Sequence, residues 1–136
     1  MSYPQAAAVT ADEYHGIVLD ISQKDRSIFK SLRLIGKKKV LLGLAAFHKI
    51  AVEPDRIQEV IHSIQGNMSN HVGPFRQEFY FHFYNKDRLL IVYRDRVFDV
   101  TPDPDRWKEA VQYGRSLNIA AKQLDFSPCR FEDETY

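Results

Sequence analysis

The chain has 136 residues and a mass of 15.9 kDa, one domain's worth with tails. Hydrophobic residues make up 44% and charged residues 27%, both near the globular average, which excludes wholesale disorder and any need for covalent staples. Lys and Arg number 19 against 18 Asp and Glu, so the net charge of +1 argues against a dedicated nucleic-acid or membrane-surface binder while leaving room for a local patch, and the single cysteine, Cys129, excludes an internal disulfide framework.

Residues 1–11 (MSYPQAAAVTA) carry no basic n-region and no apolar run of signal-peptide length. They read as the flexible N-terminal tail of a cytoplasmic protein, and no stretch is apolar for long enough to span a bilayer. Residues 15–21 (HGIVLDI) are short, apolar and β-branched, which predicts a strand. Ser22 with Asp25 makes a weak capping box, and Ile28, Phe29, Leu32 and Ile35 recur at helical spacing before Gly36. That pattern predicts a helix over residues 23–35. Lys37, Lys38 and Lys39 follow at its negative end, where they favour the dipole; the sharper alternative is a phosphate-binding patch.

Residues 40–52 (VLLGLAAFHKIAV) could extend the helix in their first half, but the second half alternates and stops at Glu53-Pro54, so the expectation is one long strand. The next helix is clearer: Pro54 suits N1, and Ile57, Val60, Ile61 and Ile64 form one apolar stripe that Gly66 ends. A polar loop fills residues 67–74. Residues 77–84 and 89–94 read as two strands of a hairpin, with residues 97–100 a third strand or a continuation. Asp103 and Pro104 open a last helix whose Gly114 requires a close neighbour. Residues 124–128 could form a final edge strand, where Pro128 is tolerated.

From residue 40 onward the order is β-α-β-β-α-β. The expected fold is therefore α+β and ferredoxin-like, with helices on one face and an extra β-α unit in front. The expected organisation is a tail over 1–11, one domain over 12–129 and an acidic C-terminal tail over 130–136 (RFEDETY), with the option that Phe131 or Tyr136 docks on a neighbour.

The hairpin carries most of the chemistry. Alternation puts Phe79, Phe81, Phe83, Leu90 and Val92 on one face and Tyr80, His82, Tyr84, Leu89, Ile91 and Tyr93 on the other, if Tyr84 pairs with Leu89. The first set is all-apolar and belongs to the core. The second is apolar but tipped with hydroxyls and an imidazole, as suits a partly wet or partnered surface. Its readings are a homo-oligomer interface, a small-molecule cleft, a single-stranded RNA platform, or coverage by the chain's own N-terminal β-α unit. The RNA reading lacks an RNP1-type run.

The five histidines show no metal-pair spacing, and no G-x-G-x-x-G or Walker pattern occurs, so neither a metal nor a cofactor is expected. His82 and His48 are the candidate general bases, with Asp20, Asp99 and Glu78 as the carboxylates nearest the sheet ends. No motif fixes a reaction, so enzymatic activity is neither assigned nor excluded. The leading expectation is a homo-oligomeric regulatory or scaffolding protein that binds through its aromatic sheet face. The alternative is a small-molecule-binding protein or enzyme with a cleft lined by Tyr80, His82, Tyr84 and Tyr93. Nucleic-acid and membrane partners are not expected.

Overall fold

The computed structural model describes residues 13–136. Six strands form one antiparallel sheet: β1 (Tyr14–Leu19), β2 (Leu34–Val40), β3 (Ala45–Val52), β6 (Tyr80–Tyr84), β7 (Leu89–Tyr93) and β8 (Arg96–Val100). A separate short hairpin comprises β4 (His71–Val72) and β5 (Phe75–Arg76). The two α-helices are α1 (Ile57–Gly66) and α2 (Lys108–Ser116). The order across the large sheet is β2-β3-β1-β6-β7-β8, so the first strand of the chain lies in the middle.

The register expected of the β6–β7 hairpin is the one formed: Tyr84 opposes Leu89, His82 opposes Ile91 and Tyr80 opposes Tyr93. Tyr93 then pairs with Arg96, so residues 96–100 are a third strand turned back on the second. Period-two alternation divides the sheet's side chains between two cores. On the first face Val18, Ile50, Phe81, Phe83, Leu90 and Val92 pack under Ile57, Val60, Ile61 and Ile64, the stripe read from α1. On the second face Ile17, Tyr84, Leu89, Ile91, Tyr93 and Phe98 pack under Ala110 of α2 and under Ile119, Leu124 and Phe126, which follow it.

The α+β class holds, but the ferredoxin-like order does not. β3 and β6 both run antiparallel to β1 and are therefore parallel to each other, with α1 crossing between them. This is one split β-α-β unit. A second does not form, because α2 crosses to the opposite face and the chain after it adds no strand. Helices thus cover both faces, not one.

Three local expectations also change. Residues 23–35 hold a 3-10 turn, Arg26–Ser31, whose N-cap Asp25 accepts from the Ser27 amide at 2.9 Å, and the chain then becomes β2. Of the helical-period residues only Phe29 is buried, whereas β3 offers a whole backbone edge to pair; the ladder outweighs the local pattern. The long strand over 40–52 is cut by a turn, Leu41–Gly43, where Leu41, Leu42 and Gly43 take φ of 52°, 57° and 87°. Residues 124–128 form no strand; Phe126, at φ 50°, is instead pressed into the second core. Gly114 has the close neighbours its place in a helix requires, since a Cβ there would lie 2.6 Å from the Tyr93 hydroxyl and 2.7 Å from Leu124 Cδ2. Among the described residues no helix is long and apolar enough to cross a membrane.

Candidate functional site

The aromatic face of the hairpin lies under the chain's own C-terminal segment. Each of its polar tips has a partner there or in α2. The Tyr80 hydroxyl donates to the Gln123 carbonyl. His82 Nε2 donates to the Pro128 carbonyl at 2.7 Å. The Tyr84 hydroxyl donates to Glu134 Oε2 at 2.5 Å, and the Tyr93 hydroxyl donates to the Ala110 carbonyl at 2.7 Å. Successive inward residues of β6 therefore meet successive points of residues 123–134. Leu89 and Ile91 are fully buried between them. The expected interface or cleft residues do come together, but their common surface is occupied by the C-terminal strap rather than by the N-terminal unit.

The strap's last seven residues turn three side chains inward. Phe131, Glu134 and Tyr136 are part-buried, while Glu132, Asp133 and Thr135 are exposed. Phe131 packs on His15, with ring centroids 4.3 Å apart, and on Tyr84 at 5.9 Å. The Tyr136 ring lies under the Lys49 ammonium at 5.0 Å. Residues 130–136 thus dock on their own sheet.

Glu134 is the centre of this docking. Its carboxylate accepts from three strands: His15 Nδ1 of β1 at 2.6 Å, Lys49 Nζ of β3 at 3.2 Å and Tyr84 of β6 at 2.5 Å. The ordering β3-β1-β6 puts these side chains in adjacent rows of the same face, since His15 opposes Tyr84 and Ile17 opposes Lys49. A second carboxylate, Glu13 Oε2, lies 3.4 Å from His15 Nε2, and Glu13 also accepts from Arg33 at 2.8 Å. Lys49 is only 5% exposed, and the Glu134 carboxylate is the anion it meets there.

Burial by itself raises the Glu134 carboxyl, but the hydrogen bonds from Tyr84, His15 and Lys49 outweigh it and hold the group below the usual glutamate range. Burial and the adjacent carboxylate push the Tyr84 phenol far upward, so it stays a donor. Burial likewise raises Tyr80 and Tyr93. The result is one ammonium, one imidazole and one phenol converging on a single carboxylate, walled by aromatic rings. Charge-assisted bonds of this kind contribute roughly 1.5–3 kcal/mol each.

The candidate bases are placed apart. His82 is fully enclosed on the second face, and burial drives its pKa down to about 4 against the raising effect of the Pro128 carbonyl. His48 stands on the first face, stacked on Phe29 at 4.3 Å, with Nε2 3.8 Å from Asp20 Oδ2. Burial lowers it too, and its Nδ1 is buried without a hydrogen-bond partner among the described residues. Asp99 is paired with Arg88, and Glu78 with Arg76 and Arg94. Three surface depressions, of about 430, 410 and 210 Å³, lie elsewhere, and none of these three is lined by Tyr80, His82, Tyr84 or Tyr93. Burial also raises the Cys129 thiol, which leaves it a weak nucleophile. Among the described residues no three His, Cys, Asp or Glu side chains converge as a metal site needs.

Nothing in the sequence joins His15, Lys49 and Glu134 into one site; His15 reads there only as a strand histidine able to approach His48 or His82. The available signal was Lys49, a charge inside an otherwise apolar strand, and an acidic tail bearing two aromatics. What was missing was the pairing of β1 with both β3 and β6. Comparison with known protein families, curated proteins and solved structures finds no match for the chain.

Proposed function

We propose that the protein is a non-catalytic binding module whose aromatic sheet face recognises an acidic, aromatic peptide segment, with its own residues 130–136 as the resident ligand. The observation that carries this reading is the threefold capture of Glu134 by His15, Lys49 and Tyr84, flanked by Phe131 and Tyr136. The strap lies on the sheet as a bound peptide does. It forms no strand with β6 and is held by its anchors: Phe126 in the core, the Pro128 carbonyl on His82, and the Glu134 carboxylate. Tethering keeps such a ligand at an effective concentration of about millimolar, so a free competitor binds only when the strap is loosened or displaced.

A homo-oligomer is the second reading, and the same feature favours it. A segment held only by side chains and isolated carbonyl contacts can be exchanged between copies, each strap lying on its partner's sheet. The aromatic face would then act as a self-association surface through the strap, not by sheet-on-sheet contact.

The test uses the full chain carrying Glu134→Ala and a labelled synthetic peptide of residues 130–136. Fluorescence anisotropy should show the variant binding the peptide, the wild-type chain binding it far more weakly, and a peptide with Gln in place of Glu134 not binding. The peptide should also raise the variant's melting temperature, because a ligand that binds only the folded state stabilises it. No binding by the folded variant and no thermal shift would reduce the strap to a structural clasp. A dimer fraction that rises with concentration would support exchange.

A further inference from the structure

The turn joining β2 to β3 has a surface the strap does not cover. Its turn carries Leu42 wholly into solvent and leaves Leu41 62% and Leu44 78% exposed. Leu41 and Leu42 stand in succession in the left-handed region, where glycine or asparagine is the usual occupant. The turn therefore keeps two leucines at its apex in an unfavoured backbone conformation, and neither contributes to either core.

Directly behind the apex, Lys37, Lys38 and Lys39 are all exposed on β2, the sheet's edge strand. Opposite His48, Phe47 and Ala46 in turn, they project to alternate sides of the hairpin. None forms an ion pair among the described residues. Asp20, which accepts from the Ala46 amide at 3.1 Å beside this collar, is already approached by Arg26 and His48. The Tyr136 backbone lies against Gly36, the residue just before Lys37, so the strap reaches the start of the lysine run and stops short of the turn. The product is a convex apolar tip with an unneutralised basic collar.

We infer that this hairpin is a peripheral membrane anchor: Leu41, Leu42 and Leu44 enter the boundary between headgroups and acyl chains of an anionic bilayer, and Lys37, Lys38 and Lys39 meet the lipid phosphates and carboxylates. The shape favours lipid over a protein partner. A protruding tip needs a matching pocket in a protein, whereas a bilayer yields around it. The charge pattern is complementary to a negatively charged leaflet, and the lysines flank the leucines closely enough to sit at headgroup depth. The overall charge of +1 does not oppose this, because the attraction is local to within about 10 Å at physiological salt.

The experiment is flotation of the full chain with two vesicle preparations, phosphatidylcholine alone and phosphatidylcholine with phosphatidylserine. Binding is expected only to the second. It should fall sharply between about 0.1 M and about 1 M salt, as the screening length shrinks from about 10 Å to about 3 Å. Leu42→Asp should abolish it; aspartate is accepted at positive φ better than leucine, so an unchanged melting curve should certify the fold. Replacing Lys37, Lys38 and Lys39 together by Gln should weaken binding about a hundredfold, at about fivefold per lysine. Failure to float with phosphatidylserine vesicles, or flotation undiminished in folded Leu42→Asp, refutes the anchor. A stable dimer that Leu42→Asp dissociates would also overturn it, assigning the tip to a second copy of the chain.

Discussion

Glu134 Oε2 lies 2.6 Å from His15 Nδ1 across a sequence separation of 119 residues, so the last residues of the described chain are tied to nearly the first. The two meet because β1 occupies the centre of the sheet and the strap returns over it. Lys49 and Tyr84, one strand away on either side, complete the contact. Removing one member of this cluster leaves others buried and unpaired.

Glu134→Gln is therefore expected to lower stability at neutral pH by about 2 kcal/mol. This is less than the full 3–5 kcal/mol of a broken buried ion pair, because a loosened strap lets water reach Lys49. The native carboxyl has its pKa held below the usual 4.5. Its contribution is thus complete above that value and lost as pH falls through the folded-state pKa. Urea titrations at neutral and at strongly acidic pH should show the difference between wild type and variant in the first and not in the second. Trp107, packed edge-on to Phe126 at 5.3 Å, should report loosening of the strap through its emission. Equal stability at neutral pH would show that the carboxylate does not anchor the segment.

His82 predicts a second, separate pH dependence. Its pKa falls from 6.5 to about 4 on folding, so between those values the unfolded chain binds a proton that the native protein refuses. Stability should then decline as pH drops from about 7 to about 5, by about 2 kcal/mol from this residue. His48, also lowered, acts in the same direction. His82→Gln keeps a donor for the Pro128 carbonyl without titrating, and its denaturation midpoints should depend less on pH over that interval. An identical pH profile in wild type and variant would rule out His82 as a source.

Ile91→Glu distinguishes a covered face from an open one. On an exposed interface it would yield a soluble monomer. Here Ile91 is fully buried between sheet and strap, so the variant places an unpaired carboxylate in a core and should lose more than about 4 kcal/mol or fail to fold. Circular dichroism of the purified variant decides between these: a native-like spectrum with unchanged melting would show that the strap does not cover the face.

Gly114→Ala sets helix propensity against packing. In a solvated helix the change would gain about 1 kcal/mol. In α2 the new methyl would come within 2.6 Å of the Tyr93 hydroxyl, which is itself bonded to Ala110, and within 2.7 Å of Leu124. A net loss of about 1–2 kcal/mol is expected from overpacking, measured by thermal melting. A rise in melting temperature would mean that α2 and Leu124 move apart easily.

Local physics made part of this molecule legible from its residues. The amphipathic stripe of α1, the two faces of the β6–β7 hairpin and its register follow from side-chain period and turn length, which act over a few residues. That the second hairpin face needs company was also readable, since alternating tyrosines and a histidine on an apolar surface demand partners. The identity of the company was not. Ile28, Phe29 and Leu32 satisfy a helical period, yet the adjoining chain became an edge strand because β3 had an unpaired backbone ladder to fill. Lys49 stood out as a charge in a strand, but its counterion lies 85 positions away and is brought close only by the order β3-β1-β6. Short-range periodicity sets what each segment can become. Long-range backbone pairing, and the need to satisfy every buried charge, decided which segments met and so where the carboxylate site formed.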